Sequence, residues 1–157
     1  MPRTHTYTIN SEWTGNLGAG TASYTAYSRD YRVSSGSKPP IAGSSDPVFR
    51  GDANKWNPEE LLVGSLSACH QLWYLHLCAV NQIIVLAYRD EATATMIEGR
   101  GDKGRITKLV LRPHVTIARG NDVAKAESLH AAAHEECYIA NSVNFPIEIT
   151  PVTVNAL

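Results

Sequence analysis

Cys69 and Cys137 are the residues of this chain with the clearest chemistry to offer. Cys69 sits in an apolar run that follows Asn57-Pro58-Glu59-Glu60 and is itself followed by His70, while Cys137 falls in a second helical pattern far along the chain. A thiol inside an apolar helix is shielded from water and open to an oily substrate. Apolar burial alone raises its pKa and leaves it inert, so a reactive Cys69 needs a cation beside it. Arg50, just ahead of the helix, is the candidate, with Arg29 and Arg32 as rivals. A guanidinium can hold a thiolate and then bind the alkoxide that departs when an O–O bond breaks. By helical spacing Ser65, Leu66, Leu72, Trp73 and His76 share the face of Cys69. Leu66, Leu72 and Trp73 then wall a pocket above the thiol, suited to an alkyl group or an aromatic ring.

Glu59 belongs first to the helix start, where an acid suits the dipole, and its functional reading is to fix the arginine fork. It precedes Cys69 by ten residues, about 15 Å along a straight helix. A long arginine, an interrupted helix or a partner chain could close that gap. We adopt the partner chain, because a two-fold axis across the helix would lay its copy alongside. Cys78, nine residues beyond Cys69, is about 13 Å away along the helix. Bridged Cα atoms lie about 4.4–6.8 Å apart, so Cys78 reads as core. Cys137, on a different helix, can meet Cys69 and is the candidate resolving thiol. A competing constellation is His130, His134 and Cys137 on one helical face, which with Cys69 could form a tetrahedral zinc site. His70 is a weak base for Cys69, because adjacent helical residues point about 100° apart.

The elements that must position these residues follow from local pattern. Thr6 to Trp13 and Thr21 to Val33 alternate polar residues with aromatics and read as antiparallel strands joined across Gly15 to Gly18. Ser34 to Asp52, rich in Gly, Ser and Pro, reads as a loop that delivers Arg50. Asn57 caps the next helix, Pro58 suits its first position, and Glu60 can bond back to the cap. The helix is predicted to run to Val80, with Asn81 in the left-handed turn that ends it. Ile83 to Ile97 and Arg105 to Ala118 read as strands across the turn Glu98 to Gly104. In the second, Leu109, Leu111, Val115 and Ile117 share one face, opposite Lys108, Arg112 and His114. Asn121 opens a helix over Asp122 to Tyr138, and Phe145 to Val154 is the last strand. That order indicates an α+β fold with mostly antiparallel sheet, in a single domain over residues 1–157.

Composition excludes several roles. A net charge of −1 gives no electrostatic support for binding nucleic acid or an anionic membrane. Three cysteines make no disulfide scaffold and fit a reducing compartment, and the N-terminal residues lack the apolar core of a signal peptide. A cytoplasmic location is the expectation. Leu61 to Tyr88 contains no Asp, Glu, Lys or Arg. It holds several polar residues and splits at Asn81-Gln82, so it reads as a buried central helix followed by a strand rather than a membrane span. Such a helix needs cover from sheets or from a partner subunit.

Taken together, these motifs resemble the OsmC/Ohr family of thiol-dependent hydroperoxide reductases. The resemblance rests on Asn57-Pro58-Glu59-Glu60-Leu61, Ala68-Cys69 twelve positions after that asparagine, and Cys137; Trp13-Thr14-Gly15 and Ile106-Thr107-Lys108-Leu109 also fit. It implies an intertwined homodimer, with mostly antiparallel sheets wrapped around long buried central helices and two sites at the interface. It implies Cys69 as peroxidatic thiolate, Cys137 as resolving thiol, Glu59 orienting the arginine, and Arg50 as that arginine. The implied substrate is an organic hydroperoxide and the reductant an external dithiol, with no metal or organic cofactor. Tyr138 stands where the family commonly has a proline, and the run after Cys69 is rich in aromatics and histidines, which marks a divergent branch. Two other readings are a redox-sensing or small-ligand-binding relative with weak turnover, and the His/Cys zinc protein.

Overall fold

The computed structural model describes residues 2–99 and 101–157. Arg100, in the turn read from Glu98 to Gly104, and Met1 lie outside the described residues. The chain forms two compact units, the first ending at Leu61 and the second beginning at Leu62.

The first unit holds an antiparallel sheet of β1 (Asn10–Trp13), β2 (Tyr31–Ser34) and β3 (Ile41–Gly43), in that order. Trp13 pairs with Tyr31 and Glu12 with Arg32, which also form an ion pair. The antiparallel pairing expected from sequence is present, but Thr21 to Asp30 is not strand. The Arg29 guanidinium donates to the carbonyls of Tyr24 and Tyr27 at 2.8 Å and lies over both rings. The aromatics therefore fold around a cation instead of alternating across a sheet. The run expected to be all loop contributes β3 and a 3-10 turn, Pro47–Phe49, capped by Asp46, whose carboxylate accepts from the Val48 N–H.

Helix α1 (Pro58–Val80) begins and ends where the sequence places it. The Glu60 N–H donates to Asn57 Oδ1 at 2.7 Å and the Asn57 N–H donates to Glu60 Oε2 at 3.1 Å, a reciprocal capping box. At the far end the left-handed residue is Gln82 (φ 62°), not Asn81. Asn81 uses its side-chain amide on the Leu77 carbonyl and passes the turn to its neighbour.

In the second unit each run read as a single strand is broken in two. The pieces are β4 (Val85–Asp90) and β5 (Thr93–Gly99), β6 (Asp102–Leu111) and β7 (Pro113–Ile117), and β8 (Ile147–Ile149) and β9 (Val152–Asn155). They form two three-stranded sheets, β4-β7-β9 and β5-β6-β8. Pro113 and Pro151 lack the N–H a continuous ladder needs. Asp90 fixes the bend, accepting from the Arg112 N–H and from Ser67 Oγ, both at 2.6 Å. β8 and β9 run parallel to β6 and β7, and every other strand pair is antiparallel. This is the α+β, mostly antiparallel arrangement expected.

Leu109, Leu111, Val115 and Ile117 are buried, as their alternation predicts. Helix α2 (Val123–Glu136) is capped by Asp122 rather than Asn121, whose side chain instead accepts from the Ile84 N–H. It stops two residues earlier than expected, leaving Cys137 in extended backbone just beyond its end. Among the described residues no helix is long and apolar enough to cross a membrane. The central helix is not buried on most sides within one chain. It buries a single stripe, Leu66, His70, Tyr74 and Cys78, at the four-residue spacing of one helical face.

Candidate functional site

Cys69 is half-buried on α1, and Cys137 is fully buried one residue past α2. The end of α2 shapes the second thiol's surroundings. The Cys137 N–H donates to the His134 carbonyl, and the Ala140 N–H donates to Cys137 Sγ at 3.4 Å. Burial pushes the Cys137 thiol up to about 11, and a hydrogen bond with Cys69 adds to the rise. Both sulfurs are free, and Cys69 lies close enough to raise the Cys137 thiol. The structure thus brings together the two cysteines that the sequence singled out, sixty-eight positions apart in the chain. Cys78 is buried farther along unbroken α1, its thiol raised by burial.

The apolar wall differs from expectation in one member. Leu66 is fully buried against Leu109 and Leu111, so it belongs to the core and lines no open groove. Its position three residues before Cys69 turns it toward the sheet instead. Leu72, Trp73 and His76 line an open groove of about 250 Å³. Trp73 makes edge-on contacts with His76 (centroids 5.7 Å) and with Tyr138 (5.6 Å), so an aromatic edge connects the residue after Cys137 to the helix of Cys69. Tyr138 entered the sequence reading only as a departure from a family pattern; its place beside Cys137 was the available signal.

Arg50 follows the Pro47–Phe49 turn in a left-handed backbone conformation (φ 66°), exposed, with its guanidinium 5.8 Å from the Tyr24 ring centre. Among the described residues it makes no ion pair or side-chain hydrogen bond, whereas Arg29 and Arg32 are both engaged. A non-glycine residue in that backbone region is uncommon and clusters at functional positions. Glu59 is half-buried in the first turn of α1. Burial, then the charges of Glu59 and Glu60, raise the Tyr31 phenol. Because α1 is continuous, an interrupted helix does not bring Glu59 to Cys69.

The zinc constellation does not assemble. Among the described residues no group of three or more His, Cys, Asp or Glu side chains stands where it could hold a metal ion. Cys137 leaves the helical path that would align it with His130 and His134. His130 turns to His70, Nδ1 to Nε2 at 3.0 Å, and stacks on Tyr74 with centroids 3.9 Å apart. Burial pulls His70 down to about 4 and His130 to about 3, so both rings are neutral near pH 7. The sequence reading missed this pair. The 100° offset that turns His70 away from Cys69 also sends it into the core.

The comparisons with known proteins agree with this architecture. The family model for OsmC-like proteins matches residues 51–152. An OsmC-like protein of unknown function from Vibrio cholerae is 26% identical; the match covers 95% of this chain and all of that one, with a TM-score of 0.86. An organic hydroperoxide resistance protein from Legionella pneumophila is 17% identical over 99% of this chain and 100% of that chain, with a TM-score of 0.68. One from Elizabethkingia anophelis is 20% identical over 98% and 100%, with a TM-score of 0.66. No curated protein matches the chain by sequence. With the family model spanning most of the chain and the fold shared end to end with these solved structures, the chain belongs to the OsmC-like protein family.

Proposed function

We propose that this protein reduces organic hydroperoxides to alcohols through Cys69 and Cys137. The observation that carries the reading is that Cys69 lies close enough to the buried Cys137 thiol to raise it, with both sulfurs free and Tyr138, next to Cys137, in edge-on contact with Trp73. The Cys69 thiolate attacks the outer oxygen of R–O–O–H. The O–O bond breaks, sulfur keeps the hydroxyl as a sulfenic acid, and the alkoxide takes a proton to leave as the alcohol. Cys137 then attacks that sulfur; the S–O bond breaks, and the departing hydroxide combines with the Cys137 proton as water. An external dithiol reduces the resulting disulfide by exchange.

In this reading Arg50 supplies the cation that keeps Cys69 ionised, and Glu59 orients it. The free guanidinium of Arg50 supports the choice over Arg29 and Arg32. Leu72 and Trp73 hold the organic group. The protein works as a homodimer in which Glu59 serves the partner's site. Support comes from the single buried stripe of α1: Leu72, 67% exposed, and Val80, 62% exposed, lie on faces a second copy would cover. Residues 1–157 act as one domain, in keeping with solved relatives that match nearly the whole chain. Free thiols fit a cytoplasmic location.

Cys137→Ser separates the two half-reactions. Mixed with one equivalent of alkyl hydroperoxide, the variant should consume it in a single turnover, leaving a sulfenic acid at Cys69 that a carbon nucleophile such as dimedone labels. Sustained turnover with a dithiol at the parent's rate would remove Cys137 from the mechanism. A redox sensor with weak turnover would instead form the disulfide in the parent without sustained consumption.

A further inference from the structure

His70 follows Cys69 directly on α1, and His130 lies seven residues before Cys137 on the helix that ends beside it. The His70 Nε2 and His130 Nδ1 atoms are 3.0 Å apart in nearly parallel rings. Both side chains are almost wholly buried, at 1% and 3% exposure. Their outer nitrogens, His70 Nδ1 and His130 Nε2, have no protein partner among the described residues. The bond between the rings is therefore the one hydrogen bond either side chain makes there. It is also, among those residues, the one side-chain hydrogen bond joining α1 to α2. A second tie, from Lys125 Nζ to the Asn81 carbonyl just past α1, is long at 3.4 Å and exposed. Tyr74, one turn along α1 from His70, stacks flat on His130 and holds its plane.

We propose that the His70–His130 bond is a positioning latch: by fixing α2 against α1 one residue from Cys69, it sets the approach of Cys137 and thus how readily the two sulfurs join. The latch rests on the reading of Cys69 and Cys137 as a redox pair. Neither ring touches the reacting atoms; both act through the helices that carry the thiols. The shared bond needs one donor and one acceptor. Two neutral imidazoles supply that in either tautomer.

The test is an equilibrium that does not involve peroxide. The full-length protein is equilibrated with mixtures of reduced and oxidised dithiothreitol. The two thiols give up two protons and two electrons, and the ring disulfide of the oxidised reagent breaks to receive them. Protein disulfide is then counted by alkylation and mass. His130→Leu, which keeps bulk and removes the bond, is expected to lower the equilibrium constant for Cys69–Cys137 closure at least about tenfold, a rise in potential of about 30 mV. His130→Asn, whose amide can stand near the lost Nδ1, is expected to stay within about threefold of the parent. A merely structural role would lower the melting temperature of the Leu variant and leave the closure constant in place. A folded His130→Leu protein whose closure constant equals the parent's overturns the latch and leaves the dithiol reading standing. A parent protein that forms no Cys69–Cys137 disulfide at any ratio overturns both.

Where His130→Leu does not fold, the parent supplies the reciprocal measurement. Linkage requires the disulfide to strengthen the latch by the factor the latch strengthens the disulfide, so the shared ring proton should exchange with solvent about tenfold more slowly in oxidised than in reduced protein. Equal exchange rates in the two forms contradict the proposal.

Discussion

Cys69→Ser is expected to abolish hydroperoxide consumption, lowering the rate by at least about 10³-fold, because a hydroxyl is neither ionised near neutral pH nor able to carry the transferred oxygen as sulfur does. Replacing one half-buried sulfur by oxygen leaves the core intact, since Leu66, Tyr74 and Cys78 do the packing along α1. Consumption of cumene hydroperoxide in the presence of a dithiol, followed alongside the melting temperature, checks this. An unchanged melting temperature with no consumption is the expected pair of results. Parent-like consumption by this variant would place the chemistry elsewhere in the chain.

The second large effect is on stability in acid. The unfolded chain takes up protons at histidine near 6.5, whereas burial holds His70 to about 4 and His130 to about 3 in the folded protein. Between those values and 6.5 the unfolded state binds more protons, so stability rises with pH across the window. It is fully present above pH 6.5 and is lost as pH falls toward 4 and then 3. Each histidine contributes up to about 1.4 kcal/mol per pH unit inside the window. Urea unfolding at pH 7, 6 and 5 should give a free energy that drops steeply with acid. His130→Asn should flatten that drop, because an amide takes up no proton in this range and so no longer favours the unfolded chain in acid. The carboxylates Asp30 and Glu148, held below their ordinary values chiefly by Lys55 and Lys108, act at lower pH and do not imitate this slope.

Much of the scaffold was legible in the sequence where the governing forces are local. The Asn57–Glu60 capping box spans one turn and needs no tertiary partner, so the start of α1 could be read from residue types alone. The buried face of β6 and β7 followed from alternation for the same reason. The strand breaks were not legible, because Asp90 bends the sheets by bonding to Ser67 and Arg112, more than twenty positions away on either side. Tyr24 and Tyr27 suggested a strand by pattern, and a cation between them decided otherwise.

At the site, the sequence singled out Cys69 and Cys137, and the fold sets Cys69 near enough to raise the Cys137 thiol. Their separation along the chain did not say how. The histidine pair, sixty positions apart, was invisible for a related reason: His70 alone looks like a poorly placed base for Cys69 and His130 like a surface or metal-binding residue, and only the packing of α2 on α1 makes them one buried unit. Leu66 illustrates the limit of helical-face arithmetic. Sharing a face with Cys69 within a turn still allows a side chain to point into the core.

The central claim is that a hydroperoxide drives Cys69 and Cys137 into one bond. Fully reduced protein treated with one equivalent of an alkyl hydroperoxide, alkylated and mapped by peptide mass spectrometry, tests it most directly. The expected result is a single Cys69–Cys137 disulfide, with Cys78 alkylated and one equivalent of alcohol released. Recovery of both cysteines as free thiols, or of oxidation confined to Cys78, would contradict the account.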